Sequence, residues 1–262
     1  MQQFCVFGNP IAHSKSPLLH NATFITLGFR ASYGRYLLRE SSALAHTFYA
    51  LKLQGANITV PFKEAAFEQS YEVRGIAKEI GAVNTWVLEQ DKIIGYNTDA
   101  QGFFMCVQRW NIQSALILGA GGSAKAIAFI LRQNGITTHL LNRSSERLQN
   151  FVRNGFVCFT PERFCATQMY DIVINTTPAG LNDNSLPLEI ETLQEILSSA
   201  HYGFDLIYGK RTPFLQLAQD LGLQTSDGAQ MLINQAALSS ELFSFGAISF
   251  ENALKCMNAL AL

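Results

Sequence analysis

Ala115-Leu116-Ile117-Leu118-Gly119-Ala120-Gly121-Gly122-Ser123-Ala124 holds a strand, a turn and the start of a helix in ten residues. Four apolar residues make a buried strand, the glycines end it, and Ala126, Ile127, Phe129, Ile130 and Leu131 continue as an apolar helix. The decad fits G-x-G-x-x-G/A with Ala124 in the third small position, in the strand-to-helix setting that gives the motif its meaning. Gly119 permits the tight turn. Gly121 lets the backbone approach a pyrophosphate, whose charge meets the amides at the helix start.

The next strand, Thr137 to Leu141, runs into Asn142-Arg143-Ser144-Ser145-Glu146-Arg147. In an NAD site this place carries an acidic residue for the ribose 2′-hydroxyl. Here it offers an amide, an arginine and two hydroxyls. A guanidinium meets a phosphate through paired, charge-assisted hydrogen bonds, so the cofactor expected is NADP.

Outward from this centre, strands alternate with helices almost throughout, which argues an α/β protein with largely parallel sheets. From Ala115 to about Leu223 the order is strand, helix, strand, helix: a mononucleotide-binding half and its continuation. On the N-terminal side, Phe4 to Phe7 reads as a strand ended by Gly8-Asn9-Pro10. Ser16 as cap and Pro17 in the first turn open a helix running to Gly28. Tyr33 to Leu38 is a second strand and Ser41 to Leu53 a second helix. Gly55 to Val60 is a third strand, with Pro61 again read as a first-turn proline. Ala82 to Leu88 and Lys92 to Tyr96 are strands around a tight turn at Gln90-Asp91, and Asp99 to Trp110 is a connecting helix. Asp227 to Leu262 reads as two helical segments split at Phe245-Gly246. No internal repeat is visible.

Composition narrows the function classes. The 262 residues are 48% hydrophobic and 15% charged, enough apolar mass for a sizeable core and far from a disordered chain. A formal net charge of −1 gives no general pull toward nucleic acid or an anionic membrane. The apolar stretches fall short of the roughly 18 residues that a membrane span needs. Met1 to Gly8 lacks the basic stretch and long apolar core of a secretory signal. The five cysteines are scattered without a CxxC pair, which suits reduced thiols in a cytoplasm, and Cys5 and Cys106 lie in apolar surroundings. The histidines show no metal-ligand spacing, so no metal is expected.

Three segments before residue 100 concentrate polar groups at predicted strand ends, where open α/β sheets place ligands. They are Ser14-Lys15-Ser16, Asn57-Ile58-Thr59-Val60-Pro61-Phe62-Lys63, and Asn84 with Asn97-Thr98-Asp99. Hydroxyls, amides, one lysine and one aspartate suit a small polyhydroxylated acid better than a lipid or a peptide.

Taken with Gly81-Ala82-Val83-Asn84-Thr85, Gly95-Tyr96-Asn97-Thr98-Asp99, Asn175-Thr176-Thr177-Pro178, Asp205-Leu206-Ile207-Tyr208, Asp227-Gly228 and Gln235-Ala236, these motifs resemble the shikimate dehydrogenase family in wording and order. The likeness spans almost the whole chain. It implies two domains: an N-terminal α/β substrate domain over 1–100, to which C-terminal helices over 236–262 return, and a Rossmann-type NADP-binding domain over 101–235. It implies reversible, NADP-dependent reduction of 3-dehydroshikimate to shikimate, with Lys63 and Asp99 as the catalytic pair. Ser14 and Ser16 would hold the substrate carboxylate. Thr59, Asn84, Asp99 and Gln235 would meet the ring hydroxyls, with Tyr208 nearby. Gly119, Ala120, Gly121, Gly122 and Ser123 would cradle the pyrophosphate. Asn142, Arg143, Ser144 and Arg147 would surround the 2′-phosphate, and Leu206 and Gly228 would flank the nicotinamide. The partner expected is this small molecule, with neither nucleic acid nor membrane, and a homodimer is one assembly open to it.

Ketone reduction puts negative charge on oxygen as hydride arrives, so a proton donor within hydrogen-bond reach lowers the barrier. A lysine ammonium can supply that proton, and a neutral lysine can take it back in oxidation. Asp99 is given the tasks of orienting Lys63 and bonding substrate, not of activating a base. Two places depart from the family pattern. Gly75 stands where many members carry an acidic residue, and Gly209-Lys210-Arg211-Thr212 replaces an Asn-Pro turn, so neither Gly75 nor Lys210 is assigned a role. Two rivals stay open: a quinate/shikimate dehydrogenase using NAD, and a non-catalytic NADP-binding protein on the same fold.

Overall fold

A computed structural model describes residues 1–165 and 169–260. Residues 261 and 262, the end of the expected C-terminal helical stretch, lie outside the described residues. The chain divides into two compact units, Met1–Phe103 with Leu232–Leu262, and Phe104–Met231.

The first unit contains, in chain order, β1 (Gln2–Gly8), α1 (Ser16–Thr26), β2 (Ala31–Leu37), α2 (Leu44–Ala50), β3 (Gly55–Ile58), α3 (Lys63–Glu68), β4 (Glu72–Val73), α4 (Ala77–Ile80), β5 (Thr85–Glu89) and β6 (Lys92–Tyr96). α5 (Thr98–Val107) leads out of it. The sheet order is β2-β1-β3-β5-β6-β4, and only β5 runs antiparallel to its neighbours. This sheet is therefore mixed, with parallel pairs on both sides of the hairpin that the sequence placed at Gln90-Asp91. The reversal comes from the β5–β6 hairpin, whose turn residues Gln90 and Asp91 both take positive φ (49° and 60°), the conformation a two-residue hairpin favours.

Alternation along β1 feeds two cores. Phe4 and Val6 point to a cluster with Leu19 and Phe24 of α1, while Cys5 and Phe7 point to one with Leu44 and Phe48 of α2. The first of these cores is completed from the far end of the chain, by Ile233 and Phe243 of α10 (Ala229–Phe243) and Met257 of α11 (Phe250–Asn258). Phe243 stacks on Phe4 with ring centroids 4.7 Å apart. Each such buried ring contributes about 1.5–3 kcal/mol of hydrophobic stabilisation.

Several local expectations are corrected. Ser16 is the first helical residue and Lys15 the N-cap. The Ser16 N–H is instead satisfied by the Ser14 hydroxyl at 3.3 Å. Pro61 lies before its helix, in a cis Val60–Pro61 peptide, and α3 begins at Lys63. The helix expected over Ser41–Leu53 is a single 3-10 turn and the short α2, ended by the left-handed Lys52. The strand expected from Ala82 starts at Thr85, because Val83 N–H donates to the Lys63 carbonyl. Cys106, in apolar sequence surroundings, is half-buried, whereas Cys5 is buried.

The second unit contains β7 (Ser114–Leu118), α6 (Gly122–Gln133), β8 (Thr137–Leu141), α7 (Ser145–Arg153), β9 (Val157–Phe159), β10 (Ile172–Asn175), α8 (Ile190–Ser198), β11 (Tyr202–Asp205), α9 (Pro213–Asp220) and β12 (Gln224–Ser226). Every pair in its sheet is parallel, in the order β12-β11-β10-β7-β8-β9. Read from β9, this is the 3-2-1-4-5-6 order of dinucleotide-binding sheets, with the switch point beside β7. Leu116 and Leu118 pack under Leu193 of α8 and Phe214 of α9. No described helix is long and apolar enough to cross a membrane.

Candidate active site

In the first unit β1, β3 and β6 run one way and β5 the other, so the loops after β1, β3 and β6 and the loop before β5 share one edge of the sheet. That edge collects the polar segments. Lys63, first residue of α3, donates from Nζ to Asp99 Oδ2 at 2.6 Å. Their side chains are only 10% and 12% exposed, so the pair is largely desolvated yet reachable. Asp99 sits in the first turn of α5, where the helix dipole favours a carboxylate.

Asn84 is buried beside them. Its Oδ1 accepts the Thr98 N–H at 2.7 Å, capping α5 one residue before Asp99, and its Nδ2 donates one hydrogen to Thr98 Oγ1 at 3.0 Å. The second Nδ2 hydrogen is left for another acceptor. Gln235 lies on α10, close against α5: a Cβ built on Gly102 would come 2.9 Å from the Gln235 nitrogen. Ser14 and Ser16 pair through their hydroxyls at 3.3 Å, and Arg35 Nε and Nη2 donate to the Ser14 carbonyl at 2.9 and 2.6 Å. Thr59 is half-buried just beyond β3, its N–H bonded to the Phe7 carbonyl.

In the second unit a cavity of ≈ 590 Å³ opens over the carboxyl ends of β7, β8 and β10. Its size falls in the range of small-molecule sites, about 300–1,000 Å³. Gly119, Ala120 and Gly121 line it, as do Asn142, Arg143 and Arg147. Gly119 has φ +112°, and a Cβ there would meet Thr176 Oγ1 at 2.5 Å, so turn and neighbour both require glycine. At Gly121 a Cβ would meet nothing within 4 Å, which leaves the loop backbone open to a ligand. Gly122 and Ser123 begin α6, whose first amides have no partner inside the helix.

Other expected residues stand away from that cavity's wall. The Ser144 hydroxyl is spent on Glu146 Oε2 at 2.6 Å, and this bond holds the Glu146 carboxyl below its usual range. Leu206 and Gly228 adjoin each other: a Cβ on Gly228 would lie within 2.7 Å of the Leu206 carbonyl carbon. Tyr208 is half-buried, and burial pushes its hydroxyl up. Lys210 is exposed and donates to the Leu181 carbonyl at 2.8 Å.

Of the remaining cavity wall, Thr176 to Pro178 belong to a motif quoted from the sequence without a role, and the rest went unread. This wall runs from Thr176 to Ala179 and over Asn182, Asp183 and Ser185 to Leu188. Asp183 Oδ1 accepts from Gly180 N, Ser185 N and Ser185 Oγ at 2.7–3.1 Å, which folds the loop on itself and depresses the carboxyl's pKa. Beneath it, buried Asp205 accepts from Thr212 Oγ1 at 2.6 Å and from Asn175 Nδ2 at 3.2 Å. Burial raises the Asp205 pKa against those hydrogen bonds. The only local signal was a run of turn-forming residues, Gly180 to Ser185. Among the described residues, no group of three or more His, Cys, Asp or Glu could hold a metal ion.

Known proteins give the same geometry a context. The family model described as the shikimate dehydrogenase substrate binding domain matches residues 6–86. A shikimate dehydrogenase (NADP(+)) of Helicobacter hepaticus is 57% identical, over 92% of this chain and 90% of its own. One from Helicobacter acinonychis is 48% identical over 99% of both chains. Among solved structures, the shikimate 5-dehydrogenase of Thermus thermophilus in complex with NADP(H) and shikimate has a TM-score of 0.84 and 29% identity. It is matched over 98% of this chain and 99% of that one.

Proposed function

The chain belongs to the shikimate dehydrogenase family, and on that footing we infer that it is an NADP-dependent oxidoreductase interconverting 3-dehydroshikimate and shikimate, a step of aromatic amino-acid biosynthesis. The observation that carries the chemistry is the desolvated Lys63–Asp99 pair at the carboxyl edge of the first sheet.

The second unit fits NADP: an unobstructed Gly121, the free amides at the start of α6, and two arginines in one cavity wall match a pyrophosphate and a 2′-phosphate. When bound, the cofactor supplies the hydride in reduction and accepts it in oxidation. We assign the pyrophosphate to Gly119, Ala120, Gly121, Gly122 and Ser123. The 2′-phosphate goes to Asn142, Arg143, Ser144 and Arg147, and the nicotinamide to Leu206 and Gly228. In the first unit Ser14 and Ser16 take the substrate carboxylate, and Thr59, Asn84, Asp99 and Gln235 take the ring hydroxyls. Tyr208 is assigned to the substrate as well.

During reduction negative charge grows on the ketone oxygen. The Lys63 ammonium donates a proton there, and in oxidation the neutral amine takes it back. Asp99 holds Nζ in one direction, so less orientation has to be won as the transition state forms. A homodimer and a cytoplasmic location are part of the same proposal, and sedimentation of the purified protein tests the first.

The test is reduced-cofactor formation by pure protein with shikimate, run with NADP and NAD in parallel and with quinate as second substrate. Turnover should prefer shikimate and NADP. NADP binding without turnover on either substrate would leave the fold and remove the function.

A further inference from the structure

We infer that Asn57, which the mechanism above leaves without a task, is a positioning residue of the substrate site: its buried side-chain amide holds the segments bearing Asn84, Asp99 and Gln235 in one arrangement. The inference rests on the assignment of those three residues to the substrate's ring hydroxyls.

Asn57 lies on β3 opposite Val6 of β1 and Thr85 of β5, on the sheet face whose other residues include Phe4, Val6 and Val87. An apolar side chain is the default there, and an amide is costly unless its hydrogen bonds are made. They are made in full. Oδ1 accepts from the Tyr33 hydroxyl at 2.6 Å. Nδ2 faces Ser239 Oγ at 2.9 Å, Thr85 Oγ1 at 3.0 Å and the Asn84 carbonyl at 3.3 Å. A carbonyl can only accept, so the NH2 end must point to Asn84 and the amide has one orientation.

Three of these four partners lead to a substrate residue. The Asn84 side chain caps α5 at Thr98, next to Asp99. Thr85 donates to Asn84 Oδ1 at 3.0 Å. The Ser239 hydroxyl gives its proton to the Gln235 carbonyl one turn back on α10, and its oxygen meets Thr98 Oγ1 at 3.2 Å. On the other side Tyr33 stacks on His20, with centroids 4.3 Å apart and planes 10° apart, and His20 Nδ1 meets Ser240 Oγ at 2.9 Å. Through these partners a single amide joins the strands β2, β3 and β5 to the helices α1, α5 and α10 with neutral groups alone, in a setting where a missing partner costs more than in water.

Asn57→Asp and Ser239→Ala test this. The first keeps the shape but removes both N–H donors once the acid ionises; while protonated, the acid still offers one donor. In folded protein, KM for shikimate should rise about tenfold, the worth of one or two hydrogen bonds, and rise further with pH. KM for NADP should stay within about twofold. Ser239→Ala, which removes one acceptor of the amide, should raise KM for shikimate about threefold without added pH dependence, and it carries the test if Asn57→Asp does not fold. A merely structural role would move both KM values together or neither. Wild-type KM for shikimate in a folded Asn57→Asp, or equal shifts for the two substrates, overturns the inference and leaves the activity standing. A wild-type chain that does not turn over shikimate overturns both.

Discussion

Lys63 and Asp99 sit in the first turns of different helices, 36 residues apart, and meet at 2.6 Å with little water around them. Removing one partner of such a pair leaves the other buried and uncompensated, a loss of about 3–5 kcal/mol in comparable sites. Lys63→Ala should therefore do two things. Turnover should fall by about 10²–10⁴-fold, the usual worth of a positioned proton donor, and the denaturation midpoint should drop while NADP titration is unchanged. A folded variant with near-normal turnover would take Lys63 out of the chemistry. Arg143 was readable from its own neighbourhood, a guanidinium at the end of the second strand of a dinucleotide motif. Lys63 was not. Alone it is a lysine at a helix start, and only the family likeness of Asn57 to Lys63 gave it a task. Nothing local announces a partner brought in by a sheet that reverses direction at β5.

Among the elements, those fixed by short-range physics were the legible ones. The strand Thr137–Leu141 and the strand Lys92–Tyr96 have the bounds read from the sequence, because a short run of buried residues with turn residues beyond both ends defines them locally. Elements decided by tertiary hydrogen bonds were misread: the start of β5, the shortened α2, and the short β4 and α4, which gave no periodic signal at all. The loop over Asn182 to Leu188 was missed because its place in the cavity wall depends on where β10 and α8 bring it. Two glycines show how different the demands on one residue type can be. Gly228→Ala would drive a methyl into the Leu206 carbonyl, a backbone group that yields only if the segment after β11 moves from the start of α10. The cost should be about 1–3 kcal/mol, read as a melting temperature lower by several degrees. Gly121→Ala meets open space, so its melting temperature should hold while NADP binding weakens. Equal melting shifts in the two variants would contradict this division.

At the scale of the whole molecule, stability should depend on acid in part through one buried ring. His20 is fully buried, and loss of hydration lowers its pKa from 6.5 to about 3. An unfolded chain takes up a proton there near 6.5 while the folded one does not. The contribution is therefore complete above about 6.5 and is lost progressively as pH falls toward 3. Chemical denaturation at pH 7, 6 and 5 should show falling stability. His20→Gln should flatten that slope by up to one proton, roughly 1.4 kcal/mol per pH unit. An unchanged slope would mean that the ring is protonated in the folded protein.

The core in which Phe4 stacks on Phe243 has a further consequence, one of timing. A ribosome adding about 5–20 residues per second makes the second aromatic roughly 10–50 s after the first. The middle segment, Phe104–Met231, owns every strand of its sheet and can close while synthesis continues. The opening segment must wait for α10 and α11 with Phe4, Val6 and Phe24 uncovered. During that interval the nascent chain displays a greasy, half-finished sheet, and it is there that a chaperone would find its grip.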